Sequence, residues 1–308
     1  MVRRGAGRVS DAVRRTITIR RARPDPRPLE QPMTGNDTAA EGAPVQNVLI
    51  DTSKPHPARI YDWFLGGKDN YPVDEEMAHR LLTVDARGRD IARVNRAFMH
   101  RATRWLGKAG VRQYLDIGTG IPTEPNLHQI AQQVAPESRI VYCDNDPIVL
   151  AHAEALLRSA PEGATAYIQA DARDPQAILE RAGEVLDFTR PVALSLVALL
   201  HFVDDEDGAY ELVSRLVGRL APGSYLVLSH ITSEFEPERA AEARAMYQGR
   251  GLTLRPRSRE EVARFFDGLE LVEPGVTLGS DWRRELGEPV RVDSEGPIPV
   301  YAGVARKP

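Results

Sequence analysis

Apolar positions follow one rhythm up to about residue 110 and another beyond it. In "PARIYDWFL" they recur at helical steps and stop at Gly66-Gly67, so a short amphipathic helix is expected there. Residues 74–82 repeat the pattern. A third run, "RDIARVNRAFMHRATRWLGKAG", places Ile91, Val94, Phe98, Ala102 and Trp105 at three- and four-residue spacing, with Gly110 as its stop. These three helices, over residues 49–110, are expected to form a cap. Residues 1–48 are rich in Gly, Pro, Ala and Arg, show no sustained period, and read as a disordered extension.

From residue 111 short apolar runs alternate with helical ones. "RQYLDIG", "SRIVYCDND", "ATAYIQAD", "PVALSLVALL" and "SYLVLSHI" read as strands. The intervening "PNLHQIAQQVA", "PIVLAHAEALLRSA", "PQAILERAG" and "AYELVSRLVGRL" read as helices. The fourth strand is continuously apolar, as expected of one buried on both faces. Strictly alternating strands and helices predict an α/β domain over 111–308 with a parallel sheet and right-handed crossovers. A helical insertion over residues 237–248 follows, then "SREEVARFFDGL" and two last strands, "LELVEPG" and "IPVYAGVAR".

Charge changes the picture at one end only. Residues 1–32 carry nine Arg against Asp11, Asp25 and Glu30, so of the net −4 about −10 falls on the remainder. "RRARPDPRPLEQP" lacks the apolar core of a secretory signal, and Met33 offers an alternative start. An acidic body argues against general nucleic-acid affinity, which requires a basic surface. No apolar run approaches the length of a membrane span, so no membrane partner is expected. A single cysteine, Cys143, excludes an internal disulfide and fits a reducing, cytoplasmic compartment. The seven histidines show no metal-ligand spacing, and no metal is expected. Oligomeric state is left open.

Chemistry concentrates in "YLDIGTGIPTEPNLHQIA", residues 114–131. In an open parallel sheet ligands sit beyond the carboxyl ends of the strands, where this loop lies. Gly118 and Gly120, around Thr119, let the backbone approach a ligand closely. A dinucleotide fingerprint would place a third glycine at 123, which is Thr, and Pro122 removes an N–H that a pyrophosphate would use. Asp116 precedes the glycines, Asp144 with Asn145 ends the second strand, and Asp171 with Ala172 ends the third. Asp144 is placed for a ribose diol and Asp171 for an adenine amino group. Three successive acids favour a cationic, phosphate-free adenosine derivative, S-adenosylmethionine, over NAD. A strand-end Asp also serves as a helix N-cap, the reading taken for Asp146 and Asp174.

Taken in order, "YDWFLGGKDNYPVD", "NRAFMHRATRWL", "YLDIGTGIPTEPNLHQIAQ", "VYCDNDPIVLAHAEALL", "ADARDP", "PVALSLVALLHFV" and "APGSYLVLSH" resemble a bacterial S-adenosyl methyltransferase family, formerly a domain of unknown function. The resemblance covers residues 51–306. It implies the seven-stranded class I methyltransferase fold, Rossmann-like and mostly parallel with an antiparallel last strand, and it implies methyl-donor binding. It implies no substrate. Ala172 stands where family members often carry Leu.

Methyl transfer from a sulfonium needs alignment and desolvation more than acid–base help. Leu200 and His201, at the exit of strand four, lie where such folds face the reacting methyl. His201 is either a general base or a hydrogen-bonded closure of the sheet edge, and His230 raises the same question. "YDWFLGGKDNY" reads as a lid, with Gly66-Gly67 as hinge and Tyr61, Trp63 and Tyr71 as planar surface. Lys68, Arg93 or Arg96 could reach the donor's carboxylate, with Asn95 and Arg96 preferred. The expected activity is methylation of a small-molecule oxygen or nitrogen, releasing S-adenosylhomocysteine. The alternatives are a non-catalytic module that binds the donor or its product, and a protein or nucleic-acid methyltransferase. Strand four lacks the "[DN]PP[YFW]" exit of amino-methylating nucleic-acid enzymes.

Overall fold

The computed structural model describes residues 51–156 and 158–308. The Arg-rich extension expected over 1–48 lies outside them. Three helices come first: α1 (Pro57–Phe64), α2 (Pro72–Val84) and α3 (Gly88–Lys108). Both α1 and α2 open with Pro in the first turn, where its missing N–H costs nothing and its fixed φ suits a helix. Asp74 bonds back to the amide of Tyr71 at 2.9 Å and so starts α2.

The alternating region follows as β1 (Gln113–Ile117), α4 (Leu127–Val134), β2 (Arg139–Asp144), α5 (Pro147–Leu156), β3 (Ala164–Gln169), α6 (Pro175–Ala182), β4 (Ala193–Val197), α7 (Ala209–Gly218) and β5 (Tyr225–Ile231). Then come α8 (Pro237–Gln248), α9 (Arg259–Ala263), β6 (Glu270–Leu271), β7 (Thr277–Leu278) and β8 (Val300–Arg306). The sheet order is β3-β2-β1-β4-β5-β8-β6, with β7 also paired to β8. Strands β1 to β5 are parallel, and β8 is antiparallel to β5, β6 and β7.

The sixth strand departs from the expected single "LELVEPG" run. It is cut down to β6 because Pro274 has no N–H for the ladder and Gly275 takes φ +81°, and a further short strand, β7, follows beyond the expected run. Eight strands therefore stand where seven are expected, and the last still runs antiparallel.

Alternation along each strand divides the core between two faces. Leu115, Ile117, Val141, Leu194 and Leu228 pack with Ile178 and Leu216 of α6 and α7. Tyr114, Ile140, Ala193 and Val227 face Phe98 and Leu106 of α3 and Leu127 of α4. Each fully shielded side chain of this kind contributes about 1.5–3 kcal/mol relative to exposure. A smaller cluster joins Ile60, Met77 and Leu81 to Tyr247 and Leu254, linking α1 and α2 to α8.

Candidate active site

One cavity of about 550 Å³ opens along the carboxyl ends of β1 to β5. Its floor is the loop after β1. Gly118 and Thr119 donate to the Cys143 carbonyl at 2.8 and 3.2 Å, which ties the loop to the end of β2. Gly118 adopts φ +75°, and a Cβ there would lie 2.6 Å from Leu199 Cδ1. The next glycine, Gly120, has φ +68° and open space in front of its Cα, with Ala58 Cβ 3.9 Å from where a Cβ would lie. Both positions require backbone that L side chains rarely adopt.

Asp144 sits at the centre of this wall and is nearly inaccessible. Its Oδ2 accepts from the Gly120 amide at 2.8 Å and its Oδ1 from the Asp146 amide at 2.9 Å, leaving each oxygen a further lone pair. Burial raises its pKa. Burial raises that of Asp116 too, whose Oδ2 accepts from Thr119 Oγ1 at 2.9 Å. A shielded carboxylate of this kind is stabilised by any cation brought beside it. At the outer end Asn145, Asp171, Ala172 and Arg173 line the same cavity, and Arg173 Nε bonds Asp171 Oδ1 at 3.1 Å.

Helix α3 supplies the opposite wall. Arg96 donates to the carbonyls of Thr123 and Pro125, while its Nε is buried without a partner. Burial lowers its pKa, and Asp116 is among the groups that offset this. Asn95 Nδ2 donates to the Tyr61 hydroxyl at 2.9 Å, which in turn donates to the Ala92 carbonyl at 3.1 Å. Asn95 Oδ1 accepts from Ser229, whose Oγ in turn accepts from the Ala198 amide at 3.0 Å. This chain of bonds fixes α1 and α3 to the ends of β4 and β5.

The exit of β4 differs from expectation by one residue. Ala198 takes φ +57° and residues Leu200–Phe202 form a tight turn. Leu199 is thereby set against Gly118 and lines the cavity, whereas Leu200, the expected donor contact, lies fully in the core. His201 lines the cavity, and its Nδ1 is buried without a partner. Burial holds its pKa well below the ordinary value, with His230 and Arg257 adding to the effect. His230 donates from Nδ1 to the Ile231 carbonyl at 2.8 Å, and its Nε2 lies 2.7 Å from Arg257 Nη1. Burial pushes its pKa down to about 3. Arg257 also donates to Leu200 O, Val203 O and Asp205, so His230 belongs to a structural knot.

The expected lid is only partly at the site. Tyr61, Asn95 and Arg96 line the cavity; Trp63, Gly66, Gly67, Lys68 and Tyr71 do not. Trp63 packs on His79, with ring centroids 4.6 Å apart, under Arg89. Gly66 and Gly67 wrap around the buried Asp62 carboxylate, which accepts from Asp69 N at 3.0 Å and Asn70 Nδ2 at 2.9 Å. A Cβ on Gly67 would fall 1.9 Å from Asp62 Oδ1. That crowding gives Gly67 a packing reason, whereas Gly66 faces open space and takes φ +83°. Lys68 is exposed, and Arg93 is engaged with Asp90 and Asp293. Tyr71 packs near Ile121 and Ile148 beside Arg59.

Sequence reasoning missed the far half of the cavity. Its walls include Ile60, Phe64 and Leu81, and Ala240, Ala243 and Tyr247 from α8. The signal was present: positions 240, 243 and 247 share one helical face of the segment read only as an insertion. Asp85, Arg87, Glu236 and Arg239 also line this half. Among the described residues no group of three His, Cys, Asp or Glu could hold a metal, and no helix is long and apolar enough to cross a membrane.

The strand order, the glycine loop and the strand-end acid together define a Rossmann-like class I methyltransferase fold. A family model described as S-adenosyl methyltransferase matches residues 44–308, and the chain belongs to that family, whose methyl donor is S-adenosylmethionine. A crystal structure of a DUF574 family protein from Streptomyces avermitilis is 48% identical with a TM-score of 0.80, covering 84% of this chain and 100% of that one. A methyltransferase candidate from Thermobifida fusca is 38% identical with a TM-score of 0.75, covering 83% and 96%. The comparison with curated proteins gives no match.

Proposed function

We propose that the chain transfers the methyl group of S-adenosylmethionine to an oxygen or nitrogen of a small-molecule acceptor. The observation that carries this reading is that one continuous cavity joins the glycine loop and acids to an apolar chamber lined by α8. A module that only sensed the donor would not need that second chamber.

The residues present fit the donor. Asp144 keeps lone pairs for the ribose hydroxyls, and Asp171, between Ala170 and Ala172, suits the adenine amino group. Asp116, buried and raised in pKa, gains from the donor's ammonium, and the unpartnered Nε–H of Arg96 suits its carboxylate. Gly118 and Gly120 admit the ligand to the backbone. Leu199, in place of Leu200, closes the loop from below.

When bound, the donor supplies a methyl group already activated on a cationic sulfur. The chain's task is alignment and exclusion of water. In-line displacement would join the acceptor's lone pair to the methyl carbon while sulfur takes the electron pair of the C–S bond, and the acceptor's proton would pass to solvent as the products leave. His201 is neutral at pH 7 and, with its basicity suppressed by burial, serves to orient the acceptor; Tyr61 and Asn95 hold the wall behind it.

Incubation with methyl-tritiated S-adenosylmethionine and a pool of hydroxylated and amino-bearing aromatics tests the reading. Label should move to an extractable small molecule in a protein-dependent manner. Label appearing only on protein or nucleic acid added in parallel would overturn it.

A further inference from the structure

The chamber's own lining defines the acceptor more closely, given the reading above. Its lining joins Ile60, Phe64 and Leu81 of α1 and α2 to Phe202 and to Ala243 and Tyr247 of α8. Phe202 and Tyr247 have ring centroids 6.0 Å apart at 41°, so they pack on each other and present one continuous tilted aromatic surface to the cavity. Apolar walls of this kind reward removal of apolar area from water and offer no partner to a charge.

The charged groups lining this half cancel. Arg87 is buried and forks onto Asp85, with Nη2 to Oδ2 at 2.7 Å and Nε to Oδ1 at 2.9 Å, and its Nη1 donates to the Pro297 carbonyl at 3.2 Å. Arg239 pairs with Glu236 at 3.4 Å, both about half exposed and so at the solvent rim. Two cations and two anions leave no unbalanced charge to select an ionic acceptor. Of the polar groups lining the cavity at the ends of β4 and β5, His230 is held by Arg257, Thr232 donates to Glu234, and the Tyr61–Asn95–Ser229 chain has its bonds already made within the protein. His201, neutral and with an unpartnered ring nitrogen, is the remaining group suited to a protic nucleophile.

We infer that the acceptor is a flat, uncharged, apolar small molecule carrying a hydroxyl or an aromatic amine, and that Ala240 and Ala243 set the depth available to it. These two alanines lie one turn apart on the chamber face of α8, where any larger residue would project into the space. The hydroxyl or amine end meets His201 beside the glycine loop, and the ring lies against the joined face of Phe202 and Tyr247.

The test uses 2-naphthol as a fluorescent probe on the full chain saturated with S-adenosylhomocysteine, with 2-naphthoate and 2-(aminomethyl)naphthalene as charged analogues. Saturable binding of 2-naphthol at one site is expected, with both analogues weaker by about tenfold or more. Ala243→Leu should weaken 2-naphthol by about tenfold while leaving S-adenosylhomocysteine affinity unchanged. Ala240→Leu serves the same purpose should the first variant fail to fold. Equal binding of the charged analogues, or 2-naphthol affinity untouched in a folded variant, would overturn the inference. Loss of S-adenosylhomocysteine binding by the native chain would instead overturn the donor reading, since naphthol binding reports the chamber directly.

Discussion

Arg59 of α1 forks onto the carboxylate of Asp146, Nε to Oδ2 at 2.8 Å and Nη2 to Oδ1 at 3.0 Å, with both side chains essentially inaccessible. Asp146 stands two residues past Asp144, whose carboxylate holds its amide. The pair therefore clamps the first helix onto the loop that carries the proposed ribose contact. The same carboxylate caps α5 through the Ile148 amide at 3.1 Å, so the expected N-cap role of Asp146 is only part of what it does.

Removing one partner strands the other without water. Arg59→Met should cost about 3–5 kcal/mol of stability, the usual range for one half of a buried pair. Denaturant unfolding of Arg59→Met, Asp146→Asn and the double variant measures the coupling. A double variant as unstable as the sum of the singles would show that the two groups do not act together.

Gly118→Ala tests the floor of the loop. The added Cβ meets Leu199 and must sit at φ +75°, a conformation that costs about 1–3 kcal/mol for a non-glycine residue. Thermal unfolding should drop by several degrees, and donor affinity should fall with it. Gly249→Ala is the control: Gly249 has no positive φ, and its nearest crowding atom is 3.4 Å away. It should be close to neutral.

Histidine burial sets an acid limit to stability. His100 is pushed down to about 4 and His230 to about 3, and His128 and His201 are lowered as well, in each case chiefly by burial. The unfolded chain binds these protons at about pH 6.5 and the folded chain only well below it, so stability is full above 6.5 and is lost as pH falls towards the folded values. Each group adds a slope of up to about 1.4 kcal/mol per pH unit within that window. Asp116 and Asp144, raised by burial, oppose the trend, because protonation relieves them as pH falls. Urea midpoints should decline between pH 6.5 and 5, less steeply in His201→Asn. A flat profile would show that the rings are hydrated.

Arg96→Met separates the two ends of the donor. Losing a charge-assisted hydrogen bond weakens a ligand by about tenfold or more. Affinity for S-adenosylhomocysteine should fall by that factor, while 5′-methylthioadenosine, which lacks the amino-acid end, should bind as before. Equal losses for both ligands would place Arg96 in the architecture of the loop only.

Much of the scaffold was legible because its signals are local. Helical spacing of Ile91, Val94, Phe98 and Ala102 marks α3, and the apolar "PVALSLVALL" marks β4. Asp174 accepts from the Ala177 amide at 3.2 Å and is the cap that its place before Pro175 announces. What escaped depends on tertiary contact. Nothing in "ALLHF" tells that Ala198 adopts a left-handed backbone and exchanges the places of Leu199 and Leu200. Of the two glycines read as a hinge, Gly67 is seen to be required by packing only once Asp62 is found filling the space beside it. Helix α8 reads only as a helical insertion, since the face carrying Ala240, Ala243 and Tyr247 is short and interrupted by charge, yet those residues line the cavity.

Calorimetric titration with S-adenosylmethionine and S-adenosylhomocysteine, alongside NAD and an Asp144→Ala variant, tests the central claim most directly. Saturable binding of both sulfur ligands at one site is predicted, lost in the variant and absent for NAD. Binding that survives Asp144→Ala unchanged, or NAD binding at the same site, would contradict it.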